Sequence, residues 1–181
     1  MKRKERYYKD YEVQESEGLL GTRKKKTIVY KGTYYSFDAS RNQVTKLKII
    51  YLVYAVLMAI VFFLIGMLNH EASRKFYVLM PYVFMFLPIY YTMLGAIKFV
   101  RSKELMTRIE YEQSILRLKR SGLGLVILSI TTMIGQLIYF VSGSRKVVSI
   151  LDYMFLAGCL LIGILTQLVI QFLKRIKLIE K

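Results

Sequence analysis

Four long apolar stretches constrain the fold of this chain more than any other feature of its sequence. They cover about residues 49–68, 76–97, 122–141 and 148–173. Each contains roughly 20 residues or more, the length at which an α-helix crosses a hydrocarbon core of about 30 Å. The sequence therefore predicts an all-α integral membrane protein with four transmembrane helices.

Short connections join the first apolar stretch to the second and the third to the fourth. Each has roughly six residues, so the two helices that it joins must lie side by side and antiparallel. We therefore expect two antiparallel transmembrane hairpins, over residues 41–100 and 122–173.

The two hairpins share part of their sequence. Shifting the chain by 71 residues lays Ser73–Lys75 on Ser144–Lys146, and Tyr82 on Tyr153. One interpretation is an internal duplication, which would give a parallel internal repeat about an axis along the membrane normal. The other is a chance match between two apolar hairpins, since few residue types make up such segments.

Basic residues flank the apolar stretches unevenly. Residues 1–48, 101–121 and 174–181 together hold 23 Lys and Arg, whereas the two short connections hold four. Because basic flanks stay in the cytoplasm, this bias predicts a multi-pass protein of the cell membrane with cytoplasmic N- and C-termini. The bias also accounts for most of the net charge of +16, so we expect no nucleic-acid partner.

Residues that usually carry chemistry are scarce. Cys159 is the only cysteine and His70 the only histidine, which excludes a disulfide framework and a metal site built from several Cys or His ligands. The sequence contains no phosphate-binding glycine loop and no nucleophile motif. We therefore expect no catalytic residue, no cofactor and no metal, as in a protein that is not an enzyme.

Four segments flank the predicted spans. Residues 1–25 are highly charged and are expected to form a basic, disordered cytoplasmic tail. Residues 26–40 carry β-branched and aromatic side chains on both sides of Lys31–Gly32, which predicts a small β-hairpin at the membrane surface. Residues 101–121 predict an amphipathic cytoplasmic linker helix, and residues 174–181 a cytoplasmic C-terminal tail.

The linker helix has the clearest local signal in the chain. Thr107 and Glu110 have the spacing of a capping box, in which each side chain accepts a hydrogen bond from the backbone N–H of the other residue. Ile115 and Leu118 fall on one helix face. The helix is expected either to lie along the membrane surface or to run on into the third span, and Gly122 and Gly124 offer a bend between the two.

Polar side chains within the third and fourth apolar stretches are the candidate intramembrane positions. They are Thr132, Gln136, Asp152, Thr166 and Gln167. Amides and hydroxyls in hydrocarbon find partners on neighbouring helices, so interhelical hydrogen bonding is one interpretation and a polar route for a substrate is the other. Asp152 is interpreted either as an interfacial anchor or as a cation or proton site.

Two prolines in the second apolar stretch, Pro81 and Pro88, are candidate helix kinks. Proline removes one intrahelical hydrogen bond and clashes with the preceding turn. Such kinks would either open a cavity between helices or be ordinary irregularities of packing.

A compact basic run at Arg23, Lys24, Lys25 and Lys26 is the candidate contact for anionic lipid headgroups. Each basic residue near an anionic membrane surface contributes about 1 kcal/mol. The expected partners are therefore the lipid bilayer with anionic headgroups and, within the membrane, another protein or a second copy of this chain.

The leading functional hypothesis is a non-enzymatic multi-pass membrane protein that acts as an accessory or interaction subunit of a larger membrane complex. Its docking surface would be formed by the β-hairpin and the linker helix. The alternative is a small transporter or channel, with a polar route lined by Gln136, Gln167 and the kinks of the second span.

Overall fold

Helices make up most of the protein, whose computed structural model describes residues 10–16, 25–38, 40–142, 148–175 and 178–180. The helices are α1 (Arg41–Gly66), α2 (Phe76–Phe84), α3 (Phe86–Arg101), α4 (Arg108–Tyr111), α5 (Arg117–Ser142) and α6 (Ile150–Arg175). The strands are β1 (Tyr11–Ser16), β2 (Lys25–Tyr30), β3 (Tyr34–Phe37), β4 (Leu105–Thr107) and β5 (Leu178–Glu180). A 3-10 turn covers Glu71–Arg74, and a π-helical turn over Glu112–Leu116 joins α4 to α5.

Four stretches of helix are long and apolar enough to cross a membrane, as the sequence predicts. Among the described residues they are α1, α2 with α3, α4 through α5, and α6. Only 33% to 39% of the residues in their most apolar windows are buried inside the protein. The outward faces are apolar as well, with Val53 and Ile127 more than half exposed. The chain is therefore compatible with a multi-pass membrane protein.

The four candidate spans form a bundle in which each span packs against two others, with α2 and α3 counted as one span. Helix α1 packs on α3 and α6, and α5 packs on α2, α3 and α6. Met58, Val78, Met85, Phe155 and Ile162 are buried in the main core between these helices.

A three-stranded antiparallel sheet closes one end of the bundle. Its order is β4-β3-β5, so its strands precede α1, lie between α3 and α4, and follow α6. Three distant parts of the chain thus meet at this end, which we name the sheet end. The opposite end, where α1 turns into α2 and α6 begins, is the loop end.

The predicted hairpin over residues 26–40 is wrong in its pairing. Both strands exist, but β2 pairs with β1 in a separate two-stranded sheet, and β3 pairs with β4 and β5. The reason is packing at the sheet end: Met106 of β4 is fully buried there, and Tyr35 of β3 stacks on Tyr111 at 4.6 Å between ring centroids. A local hairpin over residues 26–40 would bury neither side chain.

Residues 1–25 and 174–181, which the sequence predicts to be tails without secondary structure, each contain a β-strand. Within residues 1–25, the segment Tyr11–Ser16 is β1, whereas residues 1–9 and 17–24 lie outside the described residues. Within residues 174–181, Leu178–Glu180 is β5. Both tails gain order only by pairing with strands that belong to other segments, which composition does not reveal.

The linker helix runs on into the third span. The capping box is confirmed, with Thr107 N donating to Glu110 Oε2 at 2.9 Å and Glu110 N donating to Thr107 Oγ1 at 3.3 Å. The apolar face is also confirmed, and Ile115 and Leu118 are buried. Helix α5 continues through Gly122 and Gly124 without interruption, so the linker does not end at these glycines. Gly122 instead allows α6 to approach closely, since a Cβ there would lie 3.0 Å from Ile170 Cδ1.

The second span is interrupted once. Helix α2 ends at Phe84 and α3 begins at Phe86, with Met85 between them. Pro88 follows in the first turn of α3, where an N–H has no intrahelical partner to lose. Pro81 lies inside α2 and cannot donate to the Tyr77 carbonyl.

Gly135 allows α5 to approach the Tyr77 carbonyl of α2 closely. A Cβ atom at position 135 would lie 2.7 Å from the Tyr77 oxygen, whereas one at Gly124 would meet nothing nearer than Pro88 Cβ at 3.9 Å. We expect Gly135→Ala to lower the free energy of unfolding by about 1–3 kcal/mol, because backbone must shift to admit the methyl group.

Thermal unfolding of the purified chain in detergent measures this effect. Gly124→Ala is the matched control, since it adds the same methyl group to the same helix without a close contact. Equal melting temperatures for the two variants would contradict the close packing of α5 on α2.

Candidate functional site

The side chain of Gln136 lies at the loop end of α5 and is fully buried. Its Nε2 donates to Asp152 Oδ1 of α6 at 3.3 Å. The other carboxylate oxygen, Asp152 Oδ2, accepts from Ser149 N at 3.0 Å and so caps the start of α6. The two candidate positions are therefore brought together, in a geometry that anchors the start of α6 to α5.

Thr166 belongs to a second polar contact. Its Oγ1 accepts from the Tyr54 hydroxyl at 2.9 Å and donates to the Ile162 carbonyl at 2.7 Å. Fourteen residues of α6 separate Thr166 from Asp152, a rise of about 21 Å. The two contacts are therefore far apart along the bundle.

The remaining candidate positions do not join either contact. Thr132 is fully buried, and its hydroxyl donates to the Leu128 carbonyl one turn earlier, at 2.8 Å. Gln167 is exposed on the outer face of α6. The structure therefore does not bring Gln136 and Gln167 together to line one route.

Sequence reasoning did not identify the partners in several further interhelical hydrogen bonds. Thr92 and Ser121 join α3 to α5 at 2.9 Å, and the Ser129 hydroxyl donates to the Cys159 carbonyl of α6 at 2.5 Å. The Tyr82 hydroxyl donates to the Phe62 carbonyl of α1 at 2.5 Å. Single hydroxyls on apolar helices are the only sequence signal for such bonds, and they do not identify the partner helix.

Two buried polar atoms at the loop end have no hydrogen-bond partner among the described residues. They are Gln136 Oε1 and His70 Nε2. The His70 ring packs on Phe155 at 4.3 Å, and Nδ1 lies 3.0 Å from the Leu68 carbonyl. Among the described residues, no group of three His, Cys, Asp or Glu lies close enough to hold a metal ion.

The candidate contacts for anionic headgroups are only partly described. Arg23 and Lys24 lie outside the described residues, and Lys25 and Lys26 form the first part of β2. Their backbones pair with Ser16 and Glu15 of β1.

The sheet end carries a row of three side chains with an exposed aliphatic residue at each end and a serine between them. Ser36 of β3 is paired with Leu105 on one side and with Ile179 on the other, so the three side chains lie on one face of the sheet. Leu105 is 49% exposed and Ile179 is 41% exposed, whereas Met106, on the opposite face, is fully buried. We name Leu105, Ser36 and Ile179 the outer row.

Tyr30 connects the two sheets to the start of α4. Its hydroxyl accepts from Arg108 N at 3.1 Å and donates to the Thr33 carbonyl at 3.0 Å. Burial raises the pKa of Tyr30 above its usual value of 10.0, so the hydroxyl keeps its proton, and its ability to donate, throughout the neutral range.

A lateral groove opens on the outer flank of the bundle, between the second span and the stretch from the π-helical turn into α5. Its volume is about 790 Å³. We define it by Pro88 and Tyr91 on one wall and by Arg117, Arg120, Gly124 and Ile127 on the other.

Comparison with family models, curated proteins and solved structures found no match to this chain. The function is therefore inferred from the geometry of the sheet end, the bundle interior and the lateral groove.

The Gln136–Asp152 contact predicts a difference between two glutamine variants. We expect Gln136→Leu to destabilise the protein by about 1–3 kcal/mol, because the buried Asp152 carboxylate loses a donor. Gln167→Leu, at an exposed position of α6, should change the stability by no more than about 0.5 kcal/mol.

The measurement is the melting temperature of each purified variant in the same detergent. A Gln136→Leu variant as stable as Gln167→Leu would show that the contact does not hold α6 to α5.

Proposed function

We propose that this chain is a non-enzymatic multi-pass protein of the cell membrane that acts as an accessory or interaction subunit of a larger complex. Its partner-binding surface is the outer row at the sheet end. The observation that carries the proposal is the register of Leu105, Ser36 and Ile179, which leaves two aliphatic side chains exposed in line outside the four-helix bundle. The proposal takes these two side chains as apolar contact points for a partner that also binds the open edges of the sheet.

The open edges of the sheet support the same proposal. Strands β4 and β5 each pair with β3 on one side, and no described strand pairs with the other side of either. An edge strand presents unpaired N–H and C=O groups, to which an extended segment of a partner can add as a further strand. A partner would thus combine backbone hydrogen bonds at an edge with apolar contact to the outer row.

The linker helix supports the sheet from beneath and is not itself part of the proposed partner-binding surface. Its apolar side chains Ile115 and Leu118 are buried in the core cluster that includes Ala96 and Phe99 of α3, and Tyr111 stacks on Tyr35 beneath the sheet. The helix thus holds the sheet in place.

The alternative function, a transporter or channel, would use polar side chains inside the bundle. The described bonds of Gln136 and Thr166 join helices to one another, and Gln167 is exposed on the outer face. These contacts favour the interaction subunit over a polar route between the helices.

We further propose that the sheet end faces the cytoplasm. The strands of the three-stranded sheet come from segments 1–48, 101–121 and 174–181, whose sequence holds 23 Lys and Arg, against four in the two short connections, and basic flanks are retained on the cytoplasmic side. The same charges would attract anionic headgroups of the inner leaflet.

Single cysteines at the two ends test this orientation. Asn42 and Met67 are exposed at the sheet end and the loop end, and the natural Cys159 is buried. A membrane-impermeant maleimide should label Met67→Cys in intact cells and Asn42→Cys only after lysis, while the unaltered chain sets the background. The reverse labelling pattern would overturn the orientation.

Site-specific photocrosslinking tests the partner surface. A photoreactive amino acid at position 105 or 179 should give a discrete protein adduct in native membranes, because both side chains are exposed in the outer row. Position 42 is the matched control, since it is exposed at the same end of the bundle but lies outside the sheet.

The mass of the adduct identifies the partner as another membrane protein or as a second copy of this chain. Leu105→Ser with Ile179→Ser should reduce recovery of the same partner by about tenfold, as expected when two apolar contacts are lost. Adducts with lipid alone, or equal protein adducts at position 42, would contradict the proposal.

A further inference from the structure

The lateral groove has the dimensions of a ligand site. Its volume of about 790 Å³ falls within the roughly 300–1,000 Å³ of pockets that hold small molecules. It faces outward, because Tyr91 and Ile127 on its two walls are both exposed. In a bundle surrounded by lipid, a molecule in this groove would come from the bilayer.

The groove is polar at one end and apolar at the other. Glu112, Gln113, Arg117 and Arg120 lie toward the sheet end, Gly124 follows one turn after Arg120, and Ile127 lies seven residues beyond Arg120. Seven residues of α-helix rise about 10 Å. A ligand that fits this gradient has a charged head and an apolar chain.

The charge at the polar end is positive. Glu112, the acidic residue of the lining, pairs with Arg108 at 3.6 Å. No ion pair joins Arg117 or Arg120 to a carboxylate among the described residues, and the Arg117 guanidinium lies over the Tyr91 ring at 6.0 Å from its centroid. Two guanidinium groups that pair with no carboxylate of the described residues match a phosphate, which arginine can bind with two parallel hydrogen bonds.

Three local features create the space. Gly124 carries no side chain, and a Cβ there would only touch Pro88 at 3.9 Å. The second span is interrupted at Met85, just before Pro88. The π-helical turn at Glu112–Leu116 inserts a wider turn immediately before Arg117, and such turns occur frequently at functional sites.

We propose that the lateral groove binds one anionic phospholipid. Its phosphate lies between Arg117 and Arg120, and an acyl chain follows the apolar walls past Pro88 and Ile127. Basic pockets between membrane helices bind lipid headgroups in this way. This site is separate from the outer row at the sheet end, so it goes beyond the proposed interaction surface and can fail without affecting it.

Native mass spectrometry of the whole chain, released from a non-ionic detergent, tests the proposal with two lipids of identical acyl chains. We expect dioleoyl-phosphatidylglycerol to bind about tenfold more tightly than dioleoyl-phosphatidylcholine, because only the former carries net negative charge at the two arginines. Inorganic phosphate should not displace the bound lipid, since it lacks the acyl chain.

Three variants identify the site. R117Q/R120Q should remove the preference for phosphatidylglycerol. K46Q/R101Q, which removes two basic residues at the same end of the bundle but outside the groove, should retain it. G124L, which fills the groove, should weaken both lipids about tenfold.

Unchanged phosphatidylglycerol binding by R117Q/R120Q would overturn the proposal, and so would an equal loss in K46Q/R101Q. Displacement of the lipid by inorganic phosphate would overturn the role of the acyl chain. The arginine variants change side chains only at the polar end of the groove, so the test does not depend on the folding of G124L.

Discussion

Buried hydrogen bonds between neighbouring helices are the interaction on which this bundle depends. In lipid, apolar side chains gain little by leaving one apolar environment for another, so helix association relies on close packing and polar contacts. Each pair of neighbouring candidate spans is joined by such a bond. The bonded pairs are Tyr82 with Phe62, Thr92 with Ser121, Gln136 with Asp152, and Tyr54 with Thr166. Together they determine which helix lies beside which.

The three-stranded sheet complements these bonds at one end. Strand β3 pairs with β4 on one side and with β5 on the other. It therefore links the segment before α1 to the middle and the end of the chain. Since each of these strands has only three or four residues, no two of them would be stable alone. The sheet exists because Tyr35, Met106 and the start of α4 pack beneath it, and this support exposes the outer row.

Features that rest on local chemistry were predictable from the sequence. The four long apolar helices are present, and the capping box of Thr107 and Glu110 forms as its spacing predicts. Strand-forming segments were recognised between residues 26 and 37, but their partners were not, because β-pairing depends on which segments the helices bring to the same place. Of the candidate polar positions, Gln136, Asp152 and Thr166 join helices, whereas Gln167 is exposed.

The sequence by itself determined the number of helices that are long and apolar enough to span a membrane, since this property depends only on length and apolar composition. The uneven distribution of Lys and Arg along the sequence also supports the proposed orientation. Only the tertiary structure decided that the linker helix continues into α5, that the two tails become strands, and that Gly124, Pro88 and two arginines meet in one groove. Those outcomes depend on contacts between residues far apart in the chain, and no local pattern records such contacts.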